Sequence, residues 1–328
     1  MIPLLSGRRR ALGKRRRARI KKRAGAWCAL GAVLVLVPVL VSGGLSWDRV
    51  VAREELLEAD GRDIRLEQKE ESREEEASAG AEACVPVFTL TGFSDGQVKV
   101  NDHAQVDTSV PPYVPSLISE GPQVLIVHTH TTESYANDGL RFVSAAAFSN
   151  NNEQNIVAVG NVFEQVLTRA GIGVVHSHRI HDDDYRHAYE ASLETVEYFL
   201  EKYPSVRVVL DIHRDSVEDA QGQQAALMGT QEAAQIMFVV GTDGYGKEHP
   251  RWDLNLGFAY AWQEKLGEKY ASLCRPIHVS KNRYNQHVRA GALIVEVGTE
   301  ANTQAQALTA ARLAAEALVE LLGEEGQG

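Results

Sequence analysis

Three short segments of this 328-residue chain concentrate the side chains that can do chemistry. The first is His128-Thr129-His130-Thr131-Thr132-Glu133-Ser134-Tyr135, directly after the all-apolar Val124-Leu125-Ile126-Val127. The second is Val209-Leu210-Asp211-Ile212-His213-Arg214-Asp215-Ser216, and the third Leu293-Ile294-Val295-Glu296-Val297-Gly298-Thr299-Glu300. Each joins an apolar, strand-like run to histidines or carboxylates. Imidazole nitrogen and carboxylate oxygen are the ligands Zn²⁺ takes when cysteine is absent, and a catalytic zinc keeps one position open for water. Such chemistry also needs a general base, for which Glu296 is the candidate. A carboxylate between Val295 and Val297 is costly to bury without a cation nearby, which makes it the sharpest single signal. Bland readings compete with these. A lone histidine at a strand end is more often a hydrogen-bonded structural group, and Asp211, Arg214 and Asp215 suit a salt-bridge cluster. His176, His178, His181 and His187 are dense but fall on and after a different strand, so they are assigned supporting or surface roles.

These segments can meet only if the chain between them folds to bring them together. Val124 to Val127 reads as a short strand buried on both faces. Ile156, Val159, Phe163 and Val166 recur at helical spacing, with Gly171 placed to close that helix. Val174-Val175-His176 begins another strand. Residues 188–200 read as a helix with Tyr189, Leu193, Val196 and Leu200 on one face. Further strands are expected over 206–212, 235–240 and 292–297, and helices over 256–270 and 303–322. Thr303 and Gln306 fit a capping box at the start of the last helix. This alternation predicts an α/β fold over residues 121–324, a mostly parallel sheet flanked by helices. In such a sheet ligands bind beyond the carboxyl ends of the strands, where the three segments sit.

The N-terminal third reads differently. Eleven of the 34 Lys and Arg lie in residues 8–23, and residues 1–23 contain no acid. The other 305 residues then carry 23 bases against 44 acids, a balance of −21, which makes the body a poor nucleic-acid binder. From Ala26 to Leu45 there is no charged residue, and Trp27 and Trp47 flank the stretch. Twenty helical residues span roughly 30 Å, the thickness of a bilayer core. We therefore expect a basic cytoplasmic stub at 1–24, a single transmembrane helix at 25–47, and an extracytoplasmic remainder by the positive-inside rule. Residues 48–120 are expected to form a polar stalk and connector, with short β-like pieces at Val85 to Leu90 and Gln97 to Val100. Three cysteines exclude a disulfide scaffold, although Cys84 and Cys274 could pair outside the cell.

The three segments, with NIVAVGNVFEQVLTRAGI at 155–172 and NRYNQH at 282–287, resemble the stage II sporulation protein P family over about residues 123–322. The resemblance implies a membrane-anchored cell-wall hydrolase with a fold like the zinc-dependent N-acetylmuramoyl-L-alanine amidases. It implies cleavage between muramic acid and the stem peptide, linked also to endopeptidase cleavage of peptide crosslinks. It implies a role in engulfment during endospore formation, with stage II sporulation proteins D and M as partners. In the HTHxxES motif the metal candidates are His128, His130 and Glu133. His128 and His130 lie two apart, so on an extended chain both would face one side, one as ligand and the other beside it. His213 matches the second histidine ligand, and Glu296 the catalytic glutamate. Glu153 competes with Glu133 for the carboxylate ligand, and Glu133 is preferred because it lies inside the motif. Arg214, Asn285 and Gln286 are candidate contacts to peptide carboxylates or sugar, and segment 136–152 a wall of the groove. The alternatives are a serine hydrolase, for which no G-x-S-x-G elbow exists, and a non-catalytic wall-binding scaffold.

Overall fold

The computed structural model describes residues 87–89, 98–118, 120–136, 148–218 and 224–324. The basic stub, the expected span at 25–47 and most of the stalk lie outside these residues. Among the described residues no helix is long and apolar enough to cross a membrane.

The elements run β1 (Val87–Thr89), β2 (Val100–Asp102), β3 (Val124–Val127), α1 (Ile156–Arg169), β4 (Val174–His176), α2 (Ala188–Lys202), β5 (Val208–Asp215), β6 (Ala226–Met228), β7 (Ile236–Gly241), α3 (Trp252–Lys269), β8 (Ile277–Ser280), β9 (Ala292–Thr299) and α4 (Gln304–Glu324). Seven strands form one sheet in the order β2-β8-β7-β9-β5-β3-β4. Every neighbouring pair is parallel except β7 and β9, so the sheet is mixed but mostly parallel. The edge strand β2 comes from the segment expected to be connector. β1 pairs separately with β6.

The helices obey their end signals. Asn155 caps α1 by accepting the Val157 N–H. At its other end Gly171 takes φ +86°, and the N–H groups of Gly171 and Ile172 reach back to the carbonyls of Thr168 and Leu167. That double bond pattern satisfies carbonyls the helix would otherwise leave open. Thr303 and Gln306 form the expected capping box at α4, each side chain accepting the other's N–H.

The sheet's two faces are unequal. Val124, Ile126, Leu210, Ile212, Val295 and Val297 point into the main core, built against α1, α3 and α4 around Phe163 and Trp262. The alternate residues Leu125, Val127, Val209 and Ala292 join Val175, Val206 and, from α2, Val196 and Phe199 in a smaller cluster. Strand alternation therefore continues this second, thinly covered face through Asp211, His213 and Glu296.

Candidate active site

β3 stops at Val127, opposite Asp211, while β5 and β9 run on as a pair with His213 directly opposite Glu296. The register then shifts, with Asp215 opposite Thr299. Such a bulge bends the ladder and re-aims side chains beside it. The imidazole and the carboxylate therefore share a face because they are cross-strand neighbours.

Beyond β3 the chain turns, and this corrects the expectation that His128 and His130 face one side. The turn begins at Thr129, so the two-residue spacing no longer preserves the face. His128 stays under α1, its Nδ1 donating to the Ile212 carbonyl at 2.9 Å and its Nε2 lying 2.8 Å from Nε2 of His176. His130 swings to the other face. Its ring stands edge-on to His213 at 5.3 Å between centroids and stacks on Tyr185 at 4.2 Å. The segment after β4 braces the turn. His181 donates to the His128 carbonyl at 2.7 Å, and Asp182 accepts the Thr132 hydroxyl at 2.6 Å.

Glu133 closes the group. Its Oε2 lies 3.4 Å from Nδ1 of His213 and accepts the Arg214 N–H at 3.1 Å. Glu153, its rival from the sequence, is exposed in the turn before α1. Asp211 lies 2.9 Å from Nε2 of His213, an ion pair between two buried groups. Thr129 fixes Asp211 through its N–H at 2.8 Å and its hydroxyl at 2.6 Å.

The electrostatics follow from this crowding. Burial opposes a charge on His213, but Asp211 and Glu133 on either side outweigh it and hold the imidazolium well above its ordinary range. Burial would raise Asp211, yet His213 and Thr129 bring it down to about 2. Glu133 is likewise lowered against its burial by His213 and Arg214. His130 is lowered by burial and by His213. Glu296 goes the other way: burial pushes it up to about 8 against the pull of His213, with Asp215 and Glu133 adding to the rise.

Two buried atoms here have no hydrogen-bond partner, Nδ1 of His130 and Oε2 of Glu296, while Nε2 of His213 has its ion pair with Asp211 at 2.9 Å. Buried polar atoms are normally paired, so two orphans in one group call for a partner of another kind. With Glu133 beside them, His130 and His213 offer two imidazoles and a carboxylate, a donor set that fits Zn²⁺. The 3.4 Å between His213 and Glu133 matches the roughly 3.3 Å expected between ligand atoms around a tetrahedral zinc.

The expected substrate contacts are placed otherwise. Arg214 points off the other side of β5, where its guanidinium donates to Glu300 at 3.0 Å and to the Ser134 carbonyl at 3.3 Å. Asn285 donates to the Tyr189 carbonyl and Ser192 of α2. Gln286 is buried and clamps β7, accepting from Gly241 and donating to Val239. Within the expected groove wall, residues 137–147 lie outside the described residues. Cys274 is buried with a free thiol, and Cys84 lies outside the described residues. Tyr185 and Tyr189, which flank His130, carried no signal in the sequence beyond ordinary helical patterning.

Comparison with solved structures finds similar folds at low identity. N-acetylmuramoyl-L-alanine amidase AmiC2 of Nostoc punctiforme is 13% identical, covering 64% of this chain and 100% of its own, with a TM-score of 0.37. The CwlD amidase from Clostridioides difficile, solved in complex with the GerS lipoprotein, is 10% identical over 62% of this chain and 98% of its own, TM-score 0.40. The amidase Ami1 of Mycobacterium abscessus is 13% identical over 63% and 99%, TM-score 0.37. No curated protein matches the chain. Residues 49–319 match the stage II sporulation protein P (SpoIIP) family, and the chain belongs to that family.

Proposed function

We propose that this chain is a zinc-dependent peptidoglycan hydrolase of sporulation, an N-acetylmuramoyl-L-alanine amidase with endopeptidase action on peptide crosslinks as a second activity. The observation that carries the reading is the pair of unpartnered buried atoms on His130 and Glu296, beside Nδ1 of His213 and the Glu133 carboxylate. Family membership places the chain in the sporulation context.

In this reading His130, Glu133 and His213 hold the metal, and His128 does not. Zinc, when bound, acidifies a water and polarises the scissile amide carbonyl. The rest is the work of the chain's own groups. Glu296 takes the water's proton at its carboxylate and delivers it to the leaving amide nitrogen. Its raised proton affinity suits a group that must first accept and then give a proton near neutral pH. Asp211, itself held by Thr129, fixes the ring of His213, as carboxylates commonly do for metal-binding histidines. Tyr185, 57% exposed and stacked on His130, offers a flat apolar face to an incoming sugar or peptide.

The basic stub and apolar stretch support a single membrane anchor with the hydrolase outside the cytoplasm, facing the wall. Stage II sporulation proteins D and M are the partners this reading expects. The direct test is His213→Ala, assayed for soluble fragments released from purified peptidoglycan. New N-terminal alanine on the released peptides supports the amidase. Release undiminished in a folded His213→Ala protein contradicts the site.

A further inference from the structure

A second cluster of ionisable side chains lies on the opposite face, under α1. The Ile212 carbonyl can only accept, so Nδ1 of His128 must donate to it, at 2.9 Å. Neutral His128 then presents a bare lone pair at Nε2. Nε2 of His176, 2.8 Å away, must therefore carry the proton. That fixes the tautomer of His176 and leaves its Nδ1 as a lone pair. This atom faces Oε2 of Glu164 at 3.2 Å and Nε2 of His178 at 3.2 Å. His178 can donate to this lone pair but the carboxylate oxygen cannot, and a cation shared by the three groups would satisfy both contacts.

We propose that Glu164, His176 and His178 form a second site for a divalent transition metal of the zinc class, distinct from the group around His213. All three donor atoms lie within 4.8 Å of one another. The two 3.2 Å separations are close to the roughly 3.3 Å between ligand atoms of a tetrahedral zinc. Glu164 comes from α1 and is half exposed, while His176 ends β4 and is almost fully buried. The ion therefore ties a helix to the sheet's edge and keeps a position open to water. The packing is specific to this arrangement. A Cβ on Gly160 of α1 would stand 2.5 Å from Nε2 of His176 and 2.8 Å from Cε1 of His128, so glycine is required there for the pair to fit. Through His128 the site braces, from behind, the turn that carries His130. Its role is structural support of the catalytic turn, and it does not depend on which bond the other site cleaves.

The test is metal stoichiometry on the full chain, equilibrated with Zn²⁺ and measured by elemental analysis. Wild type should hold two equivalents. His178→Ala and Glu164→Gln should each hold one and still release fragments from peptidoglycan. His213→Ala should also hold one, and His213→Ala with His178→Ala none. One equivalent in wild type that survives His178→Ala overturns the second site, as does His178→Ala retaining two. If His213→Ala keeps both equivalents while His178→Ala loses one, the second site stands and the proposed catalytic site fails.

Discussion

The HTH tripeptide sends its two histidines to opposite faces of one sheet, and the two regions so formed handle charge differently. On the α2 face, His130 and His213 stand among Asp211, Glu133 and Glu296, with unpartnered atoms on His130 and Glu296 at the centre. On the α1 face, His128 and His176 form a neutral relay that starts at a backbone carbonyl and ends at the half-exposed Glu164. The residue types are nearly the same. The difference is that the first group grows from the paired interior strands β5 and β9, where Oε2 of Glu296 is buried with no hydrogen-bond partner. The second sits at edge strand β4, where its only carboxylate reaches solvent. An unpartnered buried carboxylate oxygen is what the first has and the second lacks, and the proposed division into hydrolytic site and brace rests on that difference.

The largest expected effect is His213→Ala. It should remove the metal of the α2 face and abolish release of wall fragments. The loss should exceed the roughly 10–100-fold typical of losing an outer hydrogen-bond partner. Circular dichroism showing a folded variant makes the result interpretable.

The histidine pair should split in kind. His130→Ala should lose metal and turnover with little change in stability. His128→Ala leaves the Ile212 carbonyl and His176 without their buried partner, so it should cost about 1–3 kcal/mol in denaturant unfolding. If both variants lose turnover equally with unchanged stability, the division between faces is wrong.

Asp211→Asn should weaken metal binding by roughly 10–100-fold, since Asp211 acts only through His213. It also carries a pH signature. The carboxyl of Asp211 falls from 3.8 to about 2 on folding, so its stabilisation is fully present above 3.8 and lost as pH falls through about 2. Wild type should be more stable than the variant above that window, and their unfolding curves should converge below it. A constant difference down to the lowest pH would exclude Asp211 as the source.

The smallest effect should come from removing residues 1–46. The unfolding midpoint and hydrolysis should be unchanged, while sedimentation with membranes is lost. A shifted midpoint would tie the N-terminal region to the fold.

Much of this was legible in the sequence. Long periodic runs gave α1, α2, α3 and α4, and the capping residues Thr303 and Gln306 do what their spacing announces. Buried apolar runs marked β3, β5 and β9, and Glu296 stood out because a carboxylate in such a run is costly. The reversal between β7 and β9 was not legible, because periodicity carries no strand direction. Nor was β8, Ile277–Ser280, a half-polar four-residue strand that pairing with β7 and β2 makes possible. The misreading of the HTH spacing has the same root. Spacing assigns a face only while the strand lasts, and β3 ends one residue before His128. Asn285 and Gln286 looked like ligand contacts because amides in loops often are. Here tertiary packing engages both with the backbone of α2 and β7.

The central claim is that Glu296 is a base and not a ligand, and one substitution isolates it. Glu296→Gln keeps shape and hydrogen bonding but cannot take a proton. With zinc loaded to the wild-type level and matched folded concentrations, fragment release from purified peptidoglycan should fall by about 10²–10⁴-fold, mostly in kcat. Near-wild-type release from the zinc-loaded variant would contradict the account.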